Sequence, residues 1–279
     1  MERTASSDDF SHIRLSYITH FYCDQNNIDS VVSLLREYET FAPDLLDCVE
    51  FVIVDDGSPV SYEIPGFNLN LRWIKINENI AWNQAGARNL GALYAHSDSI
   101  VLVDLDYALC EDTMHYMAFA PPCGRFFYKI YLSDSEGNRC PGHVNMFFLS
   151  RSRFMRFFGY DENFSGHYGR EDNHFVFIMR RHGCAMRYLP AKYRAIERNV
   201  NREKSYHNLT RDRQSPNYTL LERKKQELYN YGAEHGYSRS FLNFTWTFLS
   251  TQSRATKPTP KPCRWWYYLW YWRFLVGYV

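Results

Sequence analysis

The 279-residue chain has no strong imbalance of charge: 32 Lys and Arg face 31 Asp and Glu, a formal net charge of +1. General nucleic-acid binders carry a marked basic excess, so that class is excluded. No run reaches the roughly 20 apolar residues a spanning helix needs. The N-terminal stretch MERTASSDDFSHIRLSY is polar and acidic and lacks the basic region followed by an apolar run of a signal peptide. The seven cysteines are scattered, with no C-x-x-C pair, which argues against a disulfide framework or a structural zinc site and for a reducing, cytoplasmic compartment. Internal repeats and low-complexity tracts are missing too. Short apolar and aromatic-rich segments are plentiful, so a disordered chain is also excluded.

What is abundant is aromatic: seven Trp, 22 Tyr and 20 Phe make up 18% of the residues. Nine of these fall in the last seventeen residues, CRWWYYLWYWRFLVGYV, after a proline-rich spacer TKPTPKP at 256–262. Trp, Tyr and Arg each combine an apolar body with a polar tip, which suits the headgroup layer of a membrane. Residues 263–279 are therefore expected to lie on an anionic membrane surface, making the protein peripheral at the inner face. The plainer alternative is a terminal segment packed on the protein's own core or on a second subunit.

Residues 13–22 are expected to form a strand and 29–41 a helix. VEFVIVDDGSP at 49–59 opens with an unbroken apolar run, the mark of a strand buried on both faces in a parallel sheet. Further strands are expected at 71–77 and 99–106, flanking an alanine-rich helix at 83–97. The order β-α-β-β-α-β implies a doubly wound α/β sheet. Beyond residue 110, strands are expected at 125–132 and 144–150, and helices at about 171–182 and 220–236.

Ligands of such sheets bind beyond the carboxyl ends of the strands, and two apolar runs end there in acids. Asp104-Leu-Asp106 could converge on a divalent cation, since Mg²⁺ or Mn²⁺ is held by one or two carboxylates plus substrate phosphates; alone, the pattern is more often a solvated strand end, and its placement after VLV is what raises the metal reading. Asp55-Asp56-Gly57-Ser58-Pro59 is a turn signal whose carboxylates could accept from a nucleobase or ribose. In NIAWNQAGARNLG, 79–91, Arg88 could neutralise a phosphate near a helix N-terminus, a favourable place for anions. Glu171 and Asp172, in GHYGREDNHF, are either helix-dipole partners or a general base near an acceptor hydroxyl. His207 on its own reads as structural.

In this order the motifs resemble the GT-A fold glycosyltransferases of the family-2 type. VIVDDGSP is similar to that family's strand–acid–Gly-Ser signature, and ARNLGA followed by SIVLVDLD to its helix and metal-binding D-x-D. MFFLSRSRFMRFFGYDENFSGHYGREDNHFVFIMRRHG is similar to the acceptor half of β-galactosyl- and N-acetylgalactosaminyltransferases. The resemblance covers roughly 13–220 and implies a Rossmann-like mixed α/β sheet flanked by helices, with a C-terminal helical and aromatic extension. Residues 1–110 would be the nucleotide-sugar half, 111–220 the acceptor and catalytic half, and 221–262 a helix and linker before the tail.

It further implies an inverting, metal-dependent transfer from a nucleotide-diphosphate sugar (UDP-Gal, UDP-GalNAc or UDP-Glc) to a hydroxyl of a cell-surface glycan or lipid-linked acceptor. Thr19, Asp55, Asp56, Trp82, Gln84, Arg88 and Asp104 would bind the donor. Asp106 and His207 would ligate Mn²⁺ or Mg²⁺. Asp172 would be the catalytic base, with Glu171 beside it. His167, Tyr168 and Arg170 would meet the acceptor; Tyr168 replaces the family's Trp, and Arg170, in place of a Gly, points to an anionic acceptor. Two alternatives stand beside this: a sugar nucleotidyltransferase, which would need a Gly-rich loop where the chain has THFYCDQNN, and an inactive module that kept the fold.

Overall fold

The computed structural model describes residues 10–23, 27–134, 137–142, 145–198, 200 and 215–254. The apolar runs become the middle of an eight-stranded sheet. Strands β1 (Leu15–Phe21), β2 (Val49–Asp55), β3 (Asn70–Ile76) and β4 (Ser99–Leu102) are mutually parallel and lie in the spatial order β3-β2-β1-β4. Every residue of β1 and β2 is buried, which is why their sequences do not alternate. The side chains nevertheless take turns. Leu15, Tyr17, Phe51, Ile53 and Trp73 join one core cluster, while Ile18, Val52, Val54 and Ile74 join the other, on the opposite face.

Helices α1 (Asp29–Tyr38), α2 (Pro43–Leu46) and α4 (Glu111–Phe119) cover the first face. Helices α3 (Gln84–Tyr94), α5 (Arg151–Arg156) and α6 (Glu171–Arg181) cover the second. Helix α3 sits close against the sheet because Gly91 faces β1; a Cβ there would come 2.4 Å from Ile18. Beyond β4 the sheet continues with β9 (Phe147–Ser150), antiparallel, then β6 (Phe126–Lys129) and β10 (Ala185–Tyr188). The other edge is closed by β12 (Trp246–Gln252), antiparallel to β3. A small second sheet has the order β5 (Tyr107–Leu109), β11 (Arg194–Glu197), β7 (Tyr131–Ser133), β8 (Arg139–Cys140).

The expected mixed α/β sheet flanked by helices is present, and differences are local. The strand expected at 125–132 is two strands in different sheets, β6 and β7, parted at Ile130. The helix expected at 220–236 is α7 (Pro216–Tyr231): the Ser215 hydroxyl accepts from the Asn217 amide, Pro216 takes the first turn, and the helix stops at Gly232. Strand β4 ends at Leu102, so Asp104 and Asp106 lie in the turn beyond it, where the Tyr107 amide donates to the Asp104 carbonyl at 3.1 Å. Strands β5, β8 and β10 to β12 and helices α2, α4 and α5 had no expectation. No described helix is long and apolar enough to cross a membrane.

Candidate active site

In the order β3-β2-β1-β4 the chain direction of the connections reverses between β1 and β4, the switch point where open α/β sheets leave a crevice at their carboxyl edge. Asp104 stands at the β4 side of that crevice. Its carboxylate accepts from the Arg88 guanidinium and from the Asn145 amide. Arg88, on the second turn of α3, is 1% exposed and reaches in two further directions: Nη1 donates to Asp172 Oδ1 at 2.7 Å and to the Tyr160 hydroxyl at 2.8 Å. With its amide oxygen turned toward the guanidinium, Gln84 accepts from both Nη atoms at 3.1 and 3.0 Å. One buried cation thus ties the D-x-D turn to the start of α6. Its acidic neighbours raise the Arg88 pKa, so it stays charged despite burial. Burial raises the Tyr160 pKa well above its usual value, and this phenol stays neutral.

The start of α6 is set by backbone conformation. Gly169 and Arg170 are both left-handed, with φ of 83° and 81°, and turn the chain so that Glu171 and Asp172 open the helix inside the protein. Asn217 of α7 holds the preceding loop: its one amide nitrogen donates to the carbonyls of Phe164, His167 and Gly169 at 3.0, 2.9 and 2.8 Å. Glu171 is buried. Its Oε1 accepts from the Trp82 indole at 3.4 Å, and Oε2 has no hydrogen-bond partner among the described residues. Burial and, secondarily, the Asp172 charge raise the Glu171 pKa. Trp82, itself at a left-handed φ of 48°, meets Tyr168 with ring centroids 4.3 Å apart, giving a half-exposed aromatic platform next to the two acids.

The other expected residues separate. Asp56 Oδ2 accepts from the Asn83 amide at 3.1 Å, at the N-terminus of α3, a favourable place for a negative charge. Asp55 lies inside its own loop, fully buried; it accepts from the Ser58 amide at 2.7 Å and from the Tyr62 hydroxyl, with Lys75 Nζ at 3.6 Å. Thr19 is buried in β1 and its hydroxyl has no partner among the described residues. Gly86 of α3 approaches Phe244 and Asn83; a Cβ would be 2.5 Å from the Phe244 ring. His167 is exposed and Arg170 half-buried. His207 and the 263–279 tail lie outside the described residues.

Asp106 is partly exposed in the turn beyond β4. Arg198, just after β11, fixes that turn: its amide donates to the Asp106 carbonyl at 2.7 Å and its guanidinium to the Leu105 carbonyl at 2.7 Å and the Ser30 carbonyl at 2.9 Å. Among the described residues no three His, Cys, Asp or Glu side chains gather as a metal cluster. The partly exposed Asp106 carboxylate is a hard oxygen donor of the kind that holds Mg²⁺ or Mn²⁺ together with ligand phosphates. Residue-type patterns could not indicate Asn145, Arg198 or Asn217. Tyr160 alone had a signal, its place in the string GYDE.

No family model and no curated protein matches the chain. Among solved structures, it is similar to a mannosyltransferase from Pyrobaculum calidifontis in complex with GDP-Man and Mn²⁺, at 18% identity and a TM-score of 0.46 over 68% of this chain and 58% of that one. It is similar also to a Drosophila β1,4-galactosyltransferase 7 mutant in complex with manganese, UDP-Gal and xylobiose, at 13% identity and a TM-score of 0.42 over 71% of this chain and 72% of that one. A third is S. aureus TarS with UDP-GlcNAc, at 13% and 0.45 over 72% of this chain and 59% of that one. The match therefore spans less than two thirds of the mannosyltransferase and TarS chains. These are likenesses of architecture, and the chemistry rests on the geometry of the site itself.

Proposed function

We propose that this chain is an inverting, metal-dependent glycosyltransferase of the GT-A type, moving a sugar from a UDP-sugar to a hydroxyl of a glycan or glycolipid. The carrying observation is the buried Arg88, which joins Asp104 at the switch point of the sheet to Asp172 at the mouth of α6. Such a tie sets a candidate donor-side carboxylate and a candidate base at fixed positions around one crevice.

In the proposed reaction an acceptor hydroxyl attacks the anomeric carbon as the bond from that carbon to the diphosphate oxygen breaks. The nucleoside diphosphate leaves with the electron pair, and Asp172 takes the hydroxyl proton. Arg88 orients Asp172 through one carboxylate oxygen, and Trp82 with Tyr168 offers a stacking face to a sugar ring. Asp106 would hold the divalent cation, which when bound supplies positive charge against the departing diphosphate. The gap after β1 contains no glycine-rich phosphate loop, which disfavours a sugar nucleotidyltransferase. A membrane position for the aromatic tail, at the inner face, belongs to the same proposal.

The decisive variant is Asp172→Asn. Transfer should fall by about two to four orders of magnitude, the usual worth of a general base, while UDP-sugar binding persists. Wild-type turnover in that variant contradicts the base assignment.

A further inference from the structure

The face of α6 turned away from the sheet and the facing side of α7 enclose a cleft of about 630 Å³. It opens beside the candidate site, because Arg170, the residue before Glu171, lines it. Its walls carry Arg170, Arg180, Arg181 and Lys225, opposed by Glu222. Lys225 and Glu222 neutralise each other at 2.7 Å. None of the three arginines forms an ion pair with a carboxylate among the described residues. Two of them lie against rings instead: the Arg170 guanidinium is 3.7 Å from the Tyr218 centroid and that of Arg181 is 4.8 Å from the Tyr229 centroid. Phe177 stands between the helices, 6.1 Å from Tyr229.

The cleft is fixed from behind. Lys224 of α7 is buried and pairs with Asp161 at 2.7 Å, while His174 of α6 bonds the Gly236 carbonyl at 2.7 Å. Asn217 anchors the α6 entry loop to the first turn of α7. The two helices therefore cannot slide without breaking buried polar contacts, so the cleft exists before any ligand arrives.

We propose that this cleft binds a segment of an anionic glycan, a chain bearing carboxylate, sulfate or phosphate groups, as a distal extension of the acceptor site. A guanidinium stacked on a ring keeps its N–H edge open for an oxyanion, and charge-assisted bonds of that kind are the strong ones. The rings offer apolar faces to the C–H side of a sugar. Helix α6 is about 16 Å long at 1.5 Å per residue, so a single sugar unit cannot reach from Arg170 to Arg181. Three cations without an ion pair among the described residues are a local feature in a chain of net charge +1, which favours a glycan over a nucleic acid. The role as acceptor extension rests on the transferase reading; the binding does not.

The test is fluorescence anisotropy of the full chain with labelled oligogalacturonate, heparin oligosaccharide, phosphomannan fragments, neutral maltohexaose and oligouridylate. At least one anionic glycan should bind, the three chemistries separating by affinity, while maltohexaose does not. The double variant Arg180→Ala, Arg181→Ala should lose at least about tenfold in affinity, as expected for deleted charged hydrogen bonds. Replacing Arg125 and Arg187, which stack on Phe126 at the β6–β10 edge, should change nothing. The inference is overturned if no anionic glycan binds, if both double variants lose affinity equally, or if oligouridylate binds more tightly than every glycan. Donor-dependent thermal stabilisation is measured in parallel. Donor binding without glycan binding overturns the cleft alone; glycan binding without donor binding overturns the transferase reading and leaves the cleft standing.

Discussion

Glu171 is the residue with the most unusual surroundings: a buried carboxyl with one oxygen on the Trp82 indole, next to a second acid. Its folded-state pKa is raised above the ordinary carboxylate value. Between those two values the folded protein therefore holds more protons than the unfolded one. The stability this contributes is complete below the ordinary carboxylate pKa and is lost as pH rises through the raised value; each tenfold difference in proton affinity is worth about 1.4 kcal/mol. Glu171→Gln keeps the shape and removes the titration. Urea unfolding across that window should show the variant gaining on the wild type as pH rises; parallel curves would contradict the raised pKa. Asp172 and Glu171 were visible in the sequence as an acid pair opening a helix. Their surroundings were not, because Arg88 and Trp82 lie 84 and 89 residues away in the chain.

Among elements, α7 decides where the α6 entry loop sits. Asn217 satisfies three loop carbonyls with one amide nitrogen, and losing such a buried donor costs about 1–3 kcal/mol. Asn217→Ala should lower stability by that amount and speed amide hydrogen exchange in residues 164–170 more than in β1 or β2. Uniform exchange changes would show that the loop is held by something else. Elements buried on both faces were the most legible: β2 read as a strand from its apolar run, and β1 (LSYITHF) from its mixed β-branched and aromatic residues. Strands β10 (AMRY) and β11 (RAIE) are half-exposed, carry arginines and show no clear alternation, so nothing local separated them from loop. Ile130 divides one apolar run between two sheets, and only tertiary pairing could determine that.

For the whole molecule, the parallel order β3-β2-β1-β4 places the acids of two strand ends along one edge, and that much followed from the β-α-β-β-α-β pattern. The antiparallel continuation of the sheet through β9 and its antiparallel closure at the other edge by β12 did not. The compositional excess of aromatics divides similarly. Phe127, Phe147, Phe154, Tyr160 and Phe175 pack into one core face, whereas nine aromatics belong to residues 263–279. Flotation with anionic liposomes should recover the full chain and leave a 1–262 truncation behind; equal recovery would remove the proposed membrane contact.

Metal-dependent donor binding is read out soonest by thermal unfolding with UDP-Gal, UDP-GalNAc and UDP-Glc, each with Mn²⁺ and with EDTA. A donor at one hundred times its Kd adds about 2.7 kcal/mol, worth several degrees in Tm for a domain of this size. At least one UDP-sugar should raise Tm with Mn²⁺; EDTA and Asp106→Asn should each abolish the rise, and Asp172→Asn should retain it. No rise with any UDP-sugar, or an undiminished rise in Asp106→Asn, would contradict the proposed transferase.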